Sequence, residues 1–153
     1  MKSRFLLFMI IVVFLTGCGT TGTGSADNKQ FPPDEHGFIV MNEKEYKMEK
    51  GNYYREVKKG LTTEVTQTDA ASPNQIAENF EDISAPPDTE MSFNLVGEPT
   101  LTAYLWNDQE REKEIDLQER TFRTPTEKGR YIYEVLAKWK NGEVSYTYVI
   151  EVE

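Results

Sequence analysis

Apolar residues fall along this chain in three different ways. From Phe5 to Leu15 they are continuous. From residue 19 to residue 37 they lose any period among glycine, threonine, serine and polar residues. From Phe38 to the end they alternate with polar residues in short runs broken by glycine, proline or charge. Alternation with period two marks strands that bury one face, because successive side chains of a strand point to opposite sides. The pattern predicts strands in 37–42, 45–50, 52–57, 61–67, 90–97, 100–107, 114–118 and 120–125.

The strongest pattern closes the chain. Asn141-Gly142 is a favoured hairpin turn, flanked by two long alternating runs. Centring the turn there sets Trp139 opposite Val144, Ala137 opposite Tyr146, Val135 opposite Tyr148, Tyr133 opposite Ile150 and Tyr131 opposite Val152. Every pair is apolar and all share one face, which a slip of one residue would invert. Trp139 is therefore predicted to lie in the core.

One helix signal interrupts the strands, within 71–80. Ser72 suits an N-cap, Pro73 the first helical position, and Gln75 completes a capping box. Ile76, Ala77 and Phe80 would form its apolar stripe over about two turns. Such a helix would cover a sheet edge or the end of a sandwich. Many short strands with one short helix predict a mainly-β antiparallel sandwich over residues 38–153.

The segment from Thr124 to Trp139 resembles the penultimate strand of bacterial immunoglobulin-like modules, through Gly129, Tyr131, Tyr133, Val135 and Ala137. Residues 144–152 stand where the last strand of such a module would be. The resemblance implies an immunoglobulin-like sandwich and carries no activity with it.

The N-terminal third of the pattern has a different meaning. Lys2 and Arg4 precede the apolar run 5–15, and small residues follow it. That is the plan of a secretory signal, with an apolar core of about 7–15 residues. A spanning helix needs about 20. The run ends in Leu15-Thr16-Gly17-Cys18, which resembles the lipobox of bacterial lipoprotein precursors. The resemblance implies a diacylglyceryl group on the Cys18 thiol and cleavage after Gly17. It divides the chain into a signal peptide (1–17), a lipidated cysteine with a flexible tether (18–37) and the β domain (38–153). As a whole the chain resembles the small surface lipoproteins of Gram-positive bacteria, which implies a place on the extracytoplasmic face of the cell membrane.

Cysteine count and charge narrow the rest. Cys18 is the single cysteine, so its acylation would leave no thiol for a disulfide. The net charge of −9, with 26 acidic against 17 basic residues, argues against nucleic acid, whose phosphates are met by lysine and arginine. Removing Lys2 and Arg4 with the signal makes the mature chain still more acidic. Attachment to the membrane would then depend on the acyl chains, of which two or more are needed for stable anchoring.

Catalytic constellations are missing from the sequence. The single histidine, His36, lies in the tether region and has no nucleophile with it. There is no G-x-S-x-G elbow, no H-E-x-x-H and no phosphate-binding glycine loop. The acidic run 106–116 reads as a solvated turn between strands. A calcium site there would need converging oxygen ligands, and lysine and arginine interleave with the acids. No metal site and no cofactor are predicted, and the chain is not read as an enzyme.

The reading that remains is a binding or interaction module, with an envelope protein or a wall component as partner. Four residues are candidates for the contact. Trp106 and Asp108 stand at the end of a strand beside the acidic turn. Tyr53 and Tyr54, adjacent in a strand, must face opposite ways, which places one in the core and the other at the surface. The alternative is a protease inhibitor of immunoglobulin-like fold, which would present a fixed loop from 81–90 or 106–116.

Overall fold

A computed structural model describes residues 36–153. Cys18, the signal segment 1–17 and the greater part of the tether lie outside the described residues. The strands in chain order are β1 (Gly37–Met41), β2 (Lys44–Lys47), β3 (Glu49–Lys59), β4 (Thr62–Thr68), β5 (Ile83–Ala85), β6 (Glu90–Leu95), β7 (Thr100–Trp106), β8 (Arg111–Ile115), β9 (Thr121–Arg123), β10 (Gly129–Trp139) and β11 (Gly142–Val152). One helix, α1 (Pro73–Ala77), lies between β4 and β5.

The strands form two sheets that share one core. The smaller has the order β2-β1-β6-β9, the larger β4-β3-β11-β10-β7-β8. All of these pairs are antiparallel. The fold is thus mainly β and of the sandwich kind. Ile39, Met91, Phe93 and Phe122 from the small sheet meet Tyr133, Val135, Trp139, Val144, Tyr146 and Tyr148 from the large one. Phe93 stacks on Phe122 with centroids 5.2 Å apart, and Tyr133 stacks on Tyr148 at 5.0 Å.

One strand departs from the antiparallel expectation. β5 runs parallel to β11, with Ile83 opposite Ile150 and Ala85 opposite Val152. It occupies the flank that β3 leaves open, since β3 pairs with β11 only as far as Thr147. Part of the segment expected as a loop over 81–90 is therefore strand.

The closing hairpin forms with the predicted faces but a different register. Trp139 pairs with Gly142, Ala137 with Val144, Val135 with Tyr146, Tyr133 with Tyr148 and Tyr131 with Ile150. The shift is two residues, which keeps the same side chains in the core. Its turn is Lys140-Asn141, one residue earlier than expected. Asn141 is committed to the neighbouring strand: its Nδ2 donates to the Glu56 carbonyl at 3.0 Å, and its own carbonyl accepts from the Glu56 N–H at 2.8 Å. The direct Tyr133–Tyr148 pair also places the two rings in stacking contact.

The capping box of α1 is present, with Ser72 accepting from the Gln75 N–H and the Gln75 side chain accepting from the Ser72 N–H. The helix spans five residues, shorter than the expected two turns. It also lies on the outer face of the large sheet rather than at an edge or end. Arg130 of β10 holds it there, donating to the Ala77 carbonyl at 2.7 Å and to both Asp82 oxygens. Under this cover Thr147 and Val149 of β11 are buried although they face away from the core.

Candidate functional site

The remainder of that outer face is open and forms a cleft of about 600 Å³. Its floor comes from outward residues of the two central strands, Glu134 and Leu136 on β10 and Glu143 and Ser145 on β11. Asn52 and Tyr54 of β3, with Gln67 and Asp69 at the end of β4, form one wall, and Arg111 of β8 stands on the other. A bulge in the β3–β11 pairing sets Gly51 and Asn52 against Ser145. Gly51 is required for that approach, because a Cβ there would lie 2.5 Å from the Ser145 Oγ.

Glu134 is the organising charge. Its side chain is only 7% exposed, and a buried carboxylate must be paired to be tolerated. Arg111 provides a two-pronged pair, Nε to Oε2 at 2.8 Å and Nη2 to Oε1 at 3.0 Å. The Trp106 indole N–H donates to the same Oε2 at 2.8 Å. Arg111 in turn lies over the Tyr104 ring at 4.3 Å. The hydrogen bond to Glu134 holds the guanidinium pKa above its ordinary value. With three donors on its oxygens and a cation beside it, Glu134 is a fixed anchor for Trp106 and Arg111. It is not presented as a base or nucleophile.

Each predicted contact residue can be placed against this cleft. Trp106, at the end of β7, is half-buried and belongs to the Glu134 cluster. Tyr54 lines the cleft opposite Glu143, with its hydroxyl donating to Glu56. That bond keeps the phenol above its ordinary pKa. Tyr53 pairs with Val144 and packs against the core. The two tyrosines divide between core and surface as adjacent strand residues must. Asp108 lies apart, exposed in the 107–110 turn, where the Asn107 side chain accepts from the Gln109 and Glu110 N–H groups.

The acidic run is not one long turn. Residues 111–115 form β8, and the turn occupies 107–110. Among the described residues no group of three or more metal-ligating side chains converges, and no helix is long and apolar enough to cross a membrane. Glu134 and Arg111 were not singled out in the sequence. A signal existed: Glu134 is an acid between the apolar positions Ile132 and Leu136 on one face of a central strand.

Against known proteins, the chain matches no family model, no curated protein and no solved structure.

Proposed function

We propose that this chain is a lipid-anchored, non-enzymatic binding module on the extracytoplasmic face of a bacterial cell membrane, with an immunoglobulin-like sandwich as its scaffold. The outer-face cleft is its contact surface. Support for the anchor comes from Leu15-Thr16-Gly17-Cys18 after a short apolar run. Support for the scaffold comes from Gly129–Val152, whose two strands run through the centre of the large sheet.

The cleft carries the binding reading. Asn52, Gln67, Glu143, Ser145 and the Tyr54 ring line it together, a set of amide, hydroxyl and carboxylate groups beside an aromatic face. Such a lining suits a hydroxyl- and amide-rich chain, which points to a wall component ahead of an apolar ligand. The carboxylate most buried in the cleft is already paired with Arg111 and Trp106. This favours holding a ligand over transforming one.

Sedimentation of the protein with isolated wall material tests this reading. Tyr54→Ala and Glu143→Ala, each checked for folding by circular dichroism, are expected to weaken co-sedimentation several-fold, and Trp106→Ala to weaken it by loosening Glu134. Unchanged binding in all three moves the contact off this face. Hydrolysis of wall polymer, lost on replacing one carboxylate, overturns the non-enzymatic reading.

One observation favours the inhibitor alternative. Asp88, in the segment after β5, is clamped by Arg123 at 2.6 Å, and the Thr89 N–H donates to the Thr124 hydroxyl at 2.8 Å, which fixes a loop at the molecular surface. Stoichiometric loss of protease activity on titration is the result that reading requires.

A further inference from the structure

The β3–β4 hairpin extends beyond the body of the domain. β11 begins at Gly142, opposite Arg55, whereas β3 continues to Lys59 and turns back through Gly60-Leu61. The added residues carry the tip about 15 Å past the start of β11, at about 3.3 Å per residue. Leu61, at that tip, has a relative exposure of 107%, the highest of the exposed large apolar residues among those described, and Val65 on the returning strand is 50% exposed. A leucine at the end of a projecting arm buries nothing within the fold.

The chain enters the domain at the same end. Gly37 opens β1 opposite Leu95, and the carbonyl of the next residue, Val96, accepts the Trp139 indole N–H at 3.0 Å. Trp139 closes β10 beside the Lys140-Asn141 turn, past which the hairpin projects. On the lipoprotein reading above, only roughly 18 residues separate the lipid on Cys18 from Gly37; a flexible linker of that length averages about 25 Å. The end of the domain that faces the membrane is then the end bearing Leu61, and the arm covers a large part of that distance.

Charge is divided along the same axis. Residues 107–116, whose turn lies at the opposite end, hold five acids against two bases. At the hairpin end stand Lys58, Lys59, Lys138 and Lys140, with Glu143 opposite Lys138 and Glu64 paired with Lys59, so this end is the less acidic of the two. The Lys59–Glu64 ion pair leaves Lys58 as the lysine nearest the tip that Glu64 does not engage, and Glu56 is held on its own strand by the Tyr54 hydroxyl. An anionic surface attracts the lysines and repels the acidic far end, which orients the molecule.

We propose that the tip of the β3–β4 hairpin is a second membrane contact, with Leu61 entering the lipid interface and Lys58 meeting anionic headgroups. This rests on the lipoprotein reading. The contact adds orientation to an attachment made by the acyl chains, and it turns the outer-face cleft sideways to the membrane.

Depth-dependent quenching tests it on the full, processed chain. Thr63→Cys places a dye beside the tip, and Asp108→Cys places one at the far end. Each protein is reconstituted into phosphatidylcholine vesicles with and without phosphatidylglycerol, doped with nitroxide-bearing lipid. Mass spectrometry reports the acyl groups on Cys18 in the same samples. Quenching is expected to be several-fold stronger at position 63 than at 108. Adding Leu61→Asp should reduce it to the level seen at 108, and Lys58→Glu should weaken it only where phosphatidylglycerol is present. Acylated Cys18 with equal quenching at the two positions overturns the hairpin contact alone. A dye at 63 that is shielded only when envelope proteins are added assigns the tip to a protein and overturns it as well. An unacylated Cys18 overturns the anchor and this proposal together.

Discussion

Tyr148 is fully buried between Phe93, Phe122 and Tyr133, and its hydroxyl has no hydrogen-bond partner among the described residues. An unsatisfied buried hydroxyl costs about 1–3 kcal/mol. Tyr148→Phe should therefore leave stability unchanged or raise it by about 1 kcal/mol in denaturant melts; a loss of that size would mean the hydroxyl is bonded. The same residue gives a pH dependence. Burial pushes the Tyr148 and Tyr133 phenols above the ordinary tyrosine value. Both hydroxyls keep their protons in the fold at a pH where the unfolded chain releases them, so stability is full below about pH 10 and falls as pH rises beyond it. Tyr148→Phe should make that fall shallower. Trp139 presents the opposite case. It is 4% exposed and its N–H is satisfied by the Val96 carbonyl, so both ring and polar atom contribute. Trp139→Ala is expected to cost about 3–5 kcal/mol, the range for aromatic truncation in a core. A change under about 1 kcal/mol would place the wrong face of β10 inside.

Among the elements, α1 is only five residues long and opens on a capping box. Ser72→Ala removes an N-cap, which costs about 0.5–2 kcal/mol, and amide exchange should quicken first over residues 75–77. Uniform exchange changes across both sheets would show that the cap is coupled to the whole fold instead. This helix was legible because its signal is local: Ser72, Pro73 and Gln75 determine their own bonds. The core faces of β10 and β11 were legible for a related reason, since alternation reports sidedness. Register is not a property of one strand, and Asn141 settled it by bonding Glu56 on a third element. β5 escaped notice because three residues, Ile83 to Ala85, are too few to show a period, and their pairing is parallel and distant. β8 was expected three residues too late, at 114–118, because four of its five residues are exposed and charged and 111–113 read as part of the turn. The Glu134 cluster draws side chains from β7, β8 and β10, and no single stretch of sequence contains it.

Across the whole molecule, shape and charge lead to one arrangement. The chain enters beside the projecting hairpin, the acidic turn lies at the far end, and the cleft opens on the face between them. A net charge of −9 opposes adhesion to an anionic surface, so one leucine and a few lysines cannot hold such a domain there unaided. On the proposed reading the acyl chains supply the attachment, and the hairpin orients what is already attached. Cys18→Ala separates these roles. The variant should lose incorporation of labelled fatty acid, and the protein should appear as unprocessed precursor or in the soluble fraction. Its fold should be unaffected, because the described core draws only on residues from Ile39 onward. Wild-type labelling in the variant would move the lipid elsewhere and remove the reason for placing Leu61 near the bilayer. Loss of labelling with full retention of processed protein on vesicles would mean that the domain surface itself binds lipid. The charge distribution would then matter for affinity as well as for orientation, and retention should fall steeply as salt screens Lys58 and its neighbours.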